Sequence, residues 1–498
     1  MAGVVAGTAA GPVEGSIDDG VARFFGIPFA APPVGPEGRW RPPAPVEPWG
    51  SGAARPAHTF GFDCPQPPGG TTRAPGQSEN CLTLNVWAPA NGDGLTSGAA
   101  APVLVWFSGG SFLFGSASDP VCDGANLARR GAVVVTANYR VGLFGFLAHP
   151  DLPTANVGLL DMIAALDWVR ANIGGFGGDP ANVTAFGVSA GSASLSLLLT
   201  SPLAEGRFDR LILQSPGSFR PLATLAEAQA AAVEAFGPSI GPWLGVPAGE
   251  LLGETGRLAP KVRRLMAPRV LRPIADGTVV PHDERHAYDT GAFHRVPVLV
   301  GGNLDEGSRL TAGWPIATVD AWRDLLALEF GARADEAAQL WPVDSADEVP
   351  IGLGELFGDT QFSLGARGIA KAVAATGTPA WRYLFTRPRP VAPGIPSDGP
   401  HHGEEVPYVF GTLNASGGPE GGVKPTEPAD WQLSAAMGSA WVRFAATGDP
   451  NGAGLPRWPT VGDDGEPYLI LGDDIEVGQG HRRPQLDFLD AIAADRSA

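Results

Sequence analysis

The stretch AFGVSAGSAS, residues 185–194, ends an apolar, strand-forming run on Gly187-Val188-Ser189-Ala190-Gly191 and opens a run of helix formers. A serine between two glycines at such a junction can occupy a strained strand-to-helix turn, because small neighbours let the backbone bend sharply and hold the hydroxyl out. Ser189 is therefore the candidate nucleophile. The five-residue pattern alone recurs by chance in a chain with 69 Gly, so its weight comes from the strand before it and the helix after it.

Working outward, further short apolar runs stand between Gly-rich turns: VLVWF at 103–107, VVVTAN at 133–138, LILQ at 211–214 and VPVLVGG at 296–302. Strands apolar at nearly every position imply a sheet covered on both faces. Between them, 159–173 repeats apolar residues at helical spacing, and 430–446 does so again. This alternation predicts an α/β fold with a mostly parallel, doubly wound central sheet and helices on both faces. The stretches from about 217 to 273 and from 308 to 380 are read as excursions from the sheet that cover a site, the second helical with no obvious strand. No fixed repeat and no long linker divides the 498 residues, so a single catalytic domain is expected over 1–498, with 386–400 as a surface loop.

Composition excludes several classes. With 44% hydrophobic residues, disorder, collagen and coiled coil fail as whole-chain descriptions. A formal charge of −18 repels nucleic acid and anionic membrane surfaces. No apolar run approaches the roughly 18 to 20 residues that span a bilayer. The first twenty residues carry neither a basic leader nor a sustained apolar stretch, so a cytoplasmic protein is expected, and a monomer is favoured. Arg outnumbers Lys 31 to 3, a bias of GC-rich coding that favours a bacterial source.

A serine hydroxyl needs a histidine base, and that base needs a carboxylate to hold its tautomer. Of eight histidines, His401 and His402 follow a Pro/Gly-rich loop in GPHHGEEVPYVFG, 399–411, downstream of the serine. The acid is sought in GGNLDEG, 301–307, where a carboxylate would project from the carboxyl edge of the preceding strand, the edge at which open α/β sheets build their sites. Asp305 and Glu306 both qualify, and so do both histidines. For the oxyanion of a tetrahedral intermediate, Ser108-Gly109-Gly110-Ser111-Phe112 follows a strand and can aim backbone N–H groups inward, together with the N–H of Ala190.

Several longer segments carry a resemblance in order and spacing: FFGIPFAAPPVGPEGRWRPP at 24–43, SENCLTLNVW at 78–87, ANYRVGLFGFL at 137–147, the run 156–191 and FAATGDPN at 444–451. From about residue 11 to 488 the chain resembles the type-B carboxylesterases, the family of bacterial p-nitrobenzyl esterases and cholinesterases. The resemblance implies an α/β-hydrolase fold and a serine esterase working without cofactor or metal on fairly small, uncharged or aromatic esters. It implies Ser189 as nucleophile, Glu306 as acid, His402 as base, and Gly110, Ser111 and Ala190 as oxyanion donors. It also implies a disulfide between Cys64 and Cys81, whose thiols would stay free in a reducing cytoplasm. Lactones, thioesters, carbamates or activated amides are the alternative substrates of the same machinery, and a catalytically silent binding protein is the rival from another class.

Three departures from the family pattern stand out. Ser108 replaces the usual His before the glycines, and Val188 replaces the usual Glu before the nucleophile, removing a negative charge beside the histidine. The segment between Cys64 and Cys81 has no aromatic residue, whereas cholinesterases present a tryptophan there to bind a choline cation. A choline ester is therefore not the expected substrate. His282, His286 and His294 include a pair spaced for zinc on a helix, but Asp283 stands where a zincin has Glu, and polar surface is the expected reading.

Overall fold

The computed structural model describes residues 2–50, 52–92, 94–96, 100–259, 264–388, 397, 399–415, 426–462 and 465–497. Of the expected surface loop 386–400, residues 389–396 and 398 lie outside the described residues.

One mixed sheet runs through the molecule. Its strands are β1 (Ala2–Thr8), β2 (Gly11–Asp18), β3 (Val21–Pro28), β4 (Thr83–Asn91), β5 (Ala101–Phe107), β6 (Val133–Ala137), β7 (Gly178–Val188), β8 (Arg210–Gln214), β9 (Val298–Asn303), β10 (Ala380–Phe385), β11 (Pro467–Leu471) and β12 (Ile475–Gln479). They lie in the order β1-β2-β3-β4-β6-β5-β7-β8-β9-β10-β11-β12, with two two-residue strands paired to the side. From β6 through β11 every neighbour is parallel. The expected mostly parallel sheet is therefore present, bordered by antiparallel strands on both sides. The antiparallel edge over residues 2–91 was not expected from sequence, because β2 reads GPVEGSID and offers too few apolar residues for a visible alternation.

The parallel strands are apolar at successive positions because each face meets a different core. Val103, Val105 and Phe107 enter one cluster while Leu104 and Trp106 enter the other, and Val183 and Ala185 oppose Phe186 in the same way. Helix α1 (Val157–Asn172) and helix α2 (Ala190–Thr200) cover the first face, and helix α5 (Pro428–Thr447) covers the second through Met437, Trp441 and Phe444. Between β9 and β10, helix α3 (Val349–Gly358) and helix α4 (Leu364–Ala375) are joined by a π-helical turn over Asp359–Ser363, in keeping with the helical reading of 308–380.

Helix α1 is buried nearly all round, so its one charged core residue needs an internal partner. Asp161, fully buried, accepts from the Arg140 backbone N–H at 3.0 Å and from its guanidinium at 2.7 Å through each oxygen. This ion pair ties the helix to the segment after β6. Asp161→Asn would leave a buried guanidinium without counter-charge, at a cost of about 3–5 kcal/mol. A lower urea midpoint is expected, against a change below about 1 kcal/mol for Asp18→Asn in the exposed Arg23–Asp18 pair. Equal shifts for the two variants would refute the assignment.

Candidate active site

Strand β7 ends at Val188, and Ser189 takes φ +56° and ψ −120°, a conformation that L-residues rarely adopt. Its N–H donates to the Gln214 carbonyl at 3.0 Å, and its own carbonyl accepts from Ala193 at 2.7 Å in the first turn of α2. The turn is held between neighbouring backbones. A Cβ on Gly191 would lie 2.2 Å from the Phe107 carbonyl oxygen, and one on Gly109 would lie 2.9 Å from the Ser189 Cβ. Loop 108–111 thus rests directly on the serine turn, with no room for side chains between them.

That loop is itself bent. Gly110 at φ +126°, Ser111 at +56° and Phe112 at +66° turn the chain so that Leu113 and Phe114 donate back to the Gly110 carbonyl. Among the described residues, the N–H groups of Gly110, Ser111 and Ala190 take part in no hydrogen bond. The Tyr139 hydroxyl donates to the Ser108 carbonyl at 2.8 Å. The Gln66 amide clamps Gly115 in both directions, at 2.7 and 3.0 Å. Gln66 lies between Cys64 and Cys81, which the structure joins in a disulfide with Cα atoms 5.0 Å apart.

Past β9, Glu306 is buried. One carboxylate oxygen accepts from the Ser215 hydroxyl and from the Asn303 N–H, each at 2.6 Å, and the other meets His402 Nδ1 at 2.5 Å. Asp305 instead caps the following turn through the Gly307 and Ser308 N–H groups and stands 3.6 Å from the buried His401. The two acid and histidine alternatives therefore separate into one hydrogen-bonded pair and one looser pair. His402 Nε2 is buried and has no hydrogen-bond partner among the described residues, and the Phe362 ring lies over the imidazole at 4.3 Å.

Sequence reasoning missed Glu405, although it stands in the quoted 399–411 segment. It is fully buried, accepts from Gln214 Nε2 at 3.0 Å and Asn303 Nδ2 at 2.7 Å, and its carboxyl is pushed up by burial and by the charge of Glu306. Asn303 thus touches both acids, through its N–H and its side chain. Val188 removes one carboxylate next to the serine, yet a second one remains behind Glu306. No local pattern distinguishes Glu405 from Glu404; only the packing does.

His282 and His286 meet edge to face with centroids 5.5 Å apart, and His294 Nε2 pairs with the Ser201 carbonyl at 2.7 Å. Among the described residues no three potential metal ligands converge. Cys122 is a free, buried thiol, pushed up by its burial. No helix among the described residues is long and apolar enough to cross a membrane.

A mixed sheet of this order, with a strained serine between a strand and a helix at its carboxyl edge, is the architecture of the α/β-hydrolases. Residues 2–489 match the carboxylesterase family. A fumonisin B1 esterase from Sphingopyxis macrogoltabida is 43% identical over 95% of this chain and 87% of that protein. The para-nitrobenzyl esterase of Bacillus subtilis (strain 168) is 36% identical over 94% of each. A solved p-nitrobenzyl esterase structure matches with a TM-score of 0.82 at 33% identity, over 97% of this chain and 99% of that one. The chain belongs to the carboxylesterase family and is a serine hydrolase of carboxylic esters.

The tightness of the serine turn is open to test. Gly191→Ala forces a methyl into the Phe107 carbonyl and must displace either the turn or loop 108–111. Overpacking of about 1–3 kcal/mol is expected in thermal unfolding, with labelling of Ser189 by a fluorophosphonate slowed about 10²-fold. Wild-type labelling would show that the approach tolerates a side chain.

Proposed function

We propose that Ser189, His402 and Glu306 form the catalytic triad of this esterase, and that the N–H groups of Gly110, Ser111 and Ala190 form its oxyanion hole. The observation that carries the reading is the Glu306–His402 hydrogen bond, made through Nδ1 and leaving Nε2 buried and unpartnered. Ser189 stands at the end of β7 and Glu306 just past the end of β9, with β8 between them. At about 4.8 Å per strand the two backbones are roughly 10 Å apart, a gap that one imidazole bonded on both sides can fill.

In this mechanism His402 Nε2 takes the Ser189 proton as Oγ adds to the ester carbonyl. The carbonyl oxygen becomes an anion among N–H groups that have nothing else to bind, so their orientation costs nothing at the moment of reaction. Collapse breaks the bond to the alkoxy oxygen, which leaves as the alcohol with the proton from His402, and an acyl-serine remains. Water, deprotonated by the same nitrogen, adds to the acyl carbon, and the second collapse returns the proton to Ser189 and releases the acid. Glu306 fixes the tautomer and stabilises the imidazolium, itself held by Ser215 and Asn303. Within a single catalytic domain, the excursions 217–273 and 308–380 wall the substrate pocket, the latter through Phe362 against His402.

Hydrolysis of p-nitrophenyl acetate, butyrate and octanoate tests this. Ser189→Ala is expected to lose at least about 10³-fold in kcat and all fluorophosphonate labelling, and Glu306→Gln about 10³- to 10⁴-fold in kcat at near-native stability. Turnover by Ser189→Ala at the wild-type rate would remove the serine from the mechanism.

A further inference from the structure

Two arginines lie near the proposed site and, among the described residues, form no ion pair with a carboxylate. Arg272 places its guanidinium 5.1 Å from the centre of the Phe112 ring, the residue that directly follows Ser111. Arg220 donates from Nη1 to Gln361, the neighbour of the Phe362 that covers His402. Its Nη2 lies beside Gly217, close to Ala193 in the first turn after Ser189. One arginine thus approaches the oxyanion loop and the other approaches the histidine and the serine helix.

Both side chains are largely surrounded by protein, and neither is fully buried. Among the described residues neither makes an ion pair with a carboxylate, and Arg220 Nε is buried with no hydrogen bond. A third guanidinium, Arg269, lies close enough to repel both. Burial pushes Arg220 down to about 9 and Arg272 well below its ordinary range, with the neighbouring cations adding to the effect.

The acid at hand is Glu284, which already accepts from the Ser196 hydroxyl at 2.5 Å and the Phe219 N–H at 2.8 Å. Burial raises its carboxyl to about 7, while its charge favours the charged form of both arginines. In a chain with a net charge of −18, two guanidinium groups with no ion-pair partner among the described residues are costly to bury unless an anion joins them.

We propose that Arg220 and Arg272 form an anion-recognition subsite of the ester pocket, so that the preferred substrate is an ester bearing a free carboxylate a few bonds from the scissile carbonyl. The proposal rests on the reading of Ser189 as nucleophile, and it departs from the uncharged esters that family resemblance implies. Guanidinium groups suit this role because they can bind a carboxylate through two parallel N–H bonds, and a bound anion favours their charged form against the effect of burial. The substrate's carboxylate would add a second counter-charge to that of Glu284, and would orient the carbonyl between Ser189 and the oxyanion loop.

Mono-p-nitrophenyl adipate and p-nitrophenyl hexanoate have acyl chains of equal length and differ in a terminal carboxylate. For the wild type, kcat/KM is expected to favour the adipate by about fivefold or more, and in Arg272→Gln and Arg220→Gln that ratio should fall about 10-fold or more. A wild-type preference for the hexanoate, or a ratio unchanged within about twofold in both variants, would overturn the proposal. A second measurement does not depend on turnover: calorimetric binding of adipate dianion to Ser189→Ala, expected to be lost when Arg272→Gln is added. Adipate binding that the arginine variant abolishes, in a folded protein that cleaves neither ester, would sink the esterase mechanism and keep the subsite. Turnover of both esters without arginine-dependent discrimination or binding would do the reverse.

Discussion

The structure depends on the close approach of three backbones where β5 and β7 end. The Phe107 carbonyl, loop 108–111 and the turn at Ser189 pack with no side chain between them, because Gly191 and Gly109 have none to offer. This contact holds Ser189 at positive φ, an arrangement that costs of order 1–3 kcal/mol and persists only when the surroundings over-determine it. The surroundings here are two hydrophobic cores, one on each face of the sheet, gripping successive residues of the same strands. The strained turn and the bent loop are therefore consequences of sheet packing as much as of local sequence.

A second constraint is the handling of charge away from water. Asp161 is matched by Arg140, with both hydrogen-bonded and buried. Glu306 is matched by hydrogen-bond donors, a hydroxyl, a backbone N–H and an imidazole, so its charge is held without a cation. Glu405, immediately behind it, has neutral amide donors only and is pushed toward its protonated form. Burial thus sets Glu405 apart, and geometry makes Glu306 the carboxylate that meets the histidine. Arg220 and Arg272 depart from this balance: among the described residues neither forms an ion pair with a carboxylate, and burial works against the charge of both.

The sequence departures take on meaning in this setting. Where Ser108 stands before the glycines, Tyr139 holds its carbonyl and Gln66 holds Gly115 at the far end of the bent loop. Gln66 belongs to the loop between Cys64 and Cys81 that lacks a choline-binding aromatic ring. The same segment therefore serves as a strut for the oxyanion loop.

Much of the fold was legible from the chain. Strands such as VLVWF and VPVLVGG announce themselves because residues buried on both faces leave no polar position, and the serine turn announces itself because only small residues tolerate its geometry. The antiparallel edge over residues 2–91 was not legible, since Gly and Pro interrupt the apolar pattern of its strands although Phe24, Leu84 and Trp87 are buried. Sequence alone determined the residue types a nucleophile, a base and a carboxylate require and the order in which they occur. It could not choose between Asp305 and Glu306, or between His401 and His402, without family resemblance, because adjacent residues share every local signal. The tertiary structure separated them by hydrogen bonding, and it alone brought Ser215 to Glu306 across 91 residues of chain and set Arg220 and Arg272 beside the site. Such contacts are made between residues that share no turn, helix or strand, so no local pattern encodes them and only the assembled sheet and its excursions decide which side chains meet.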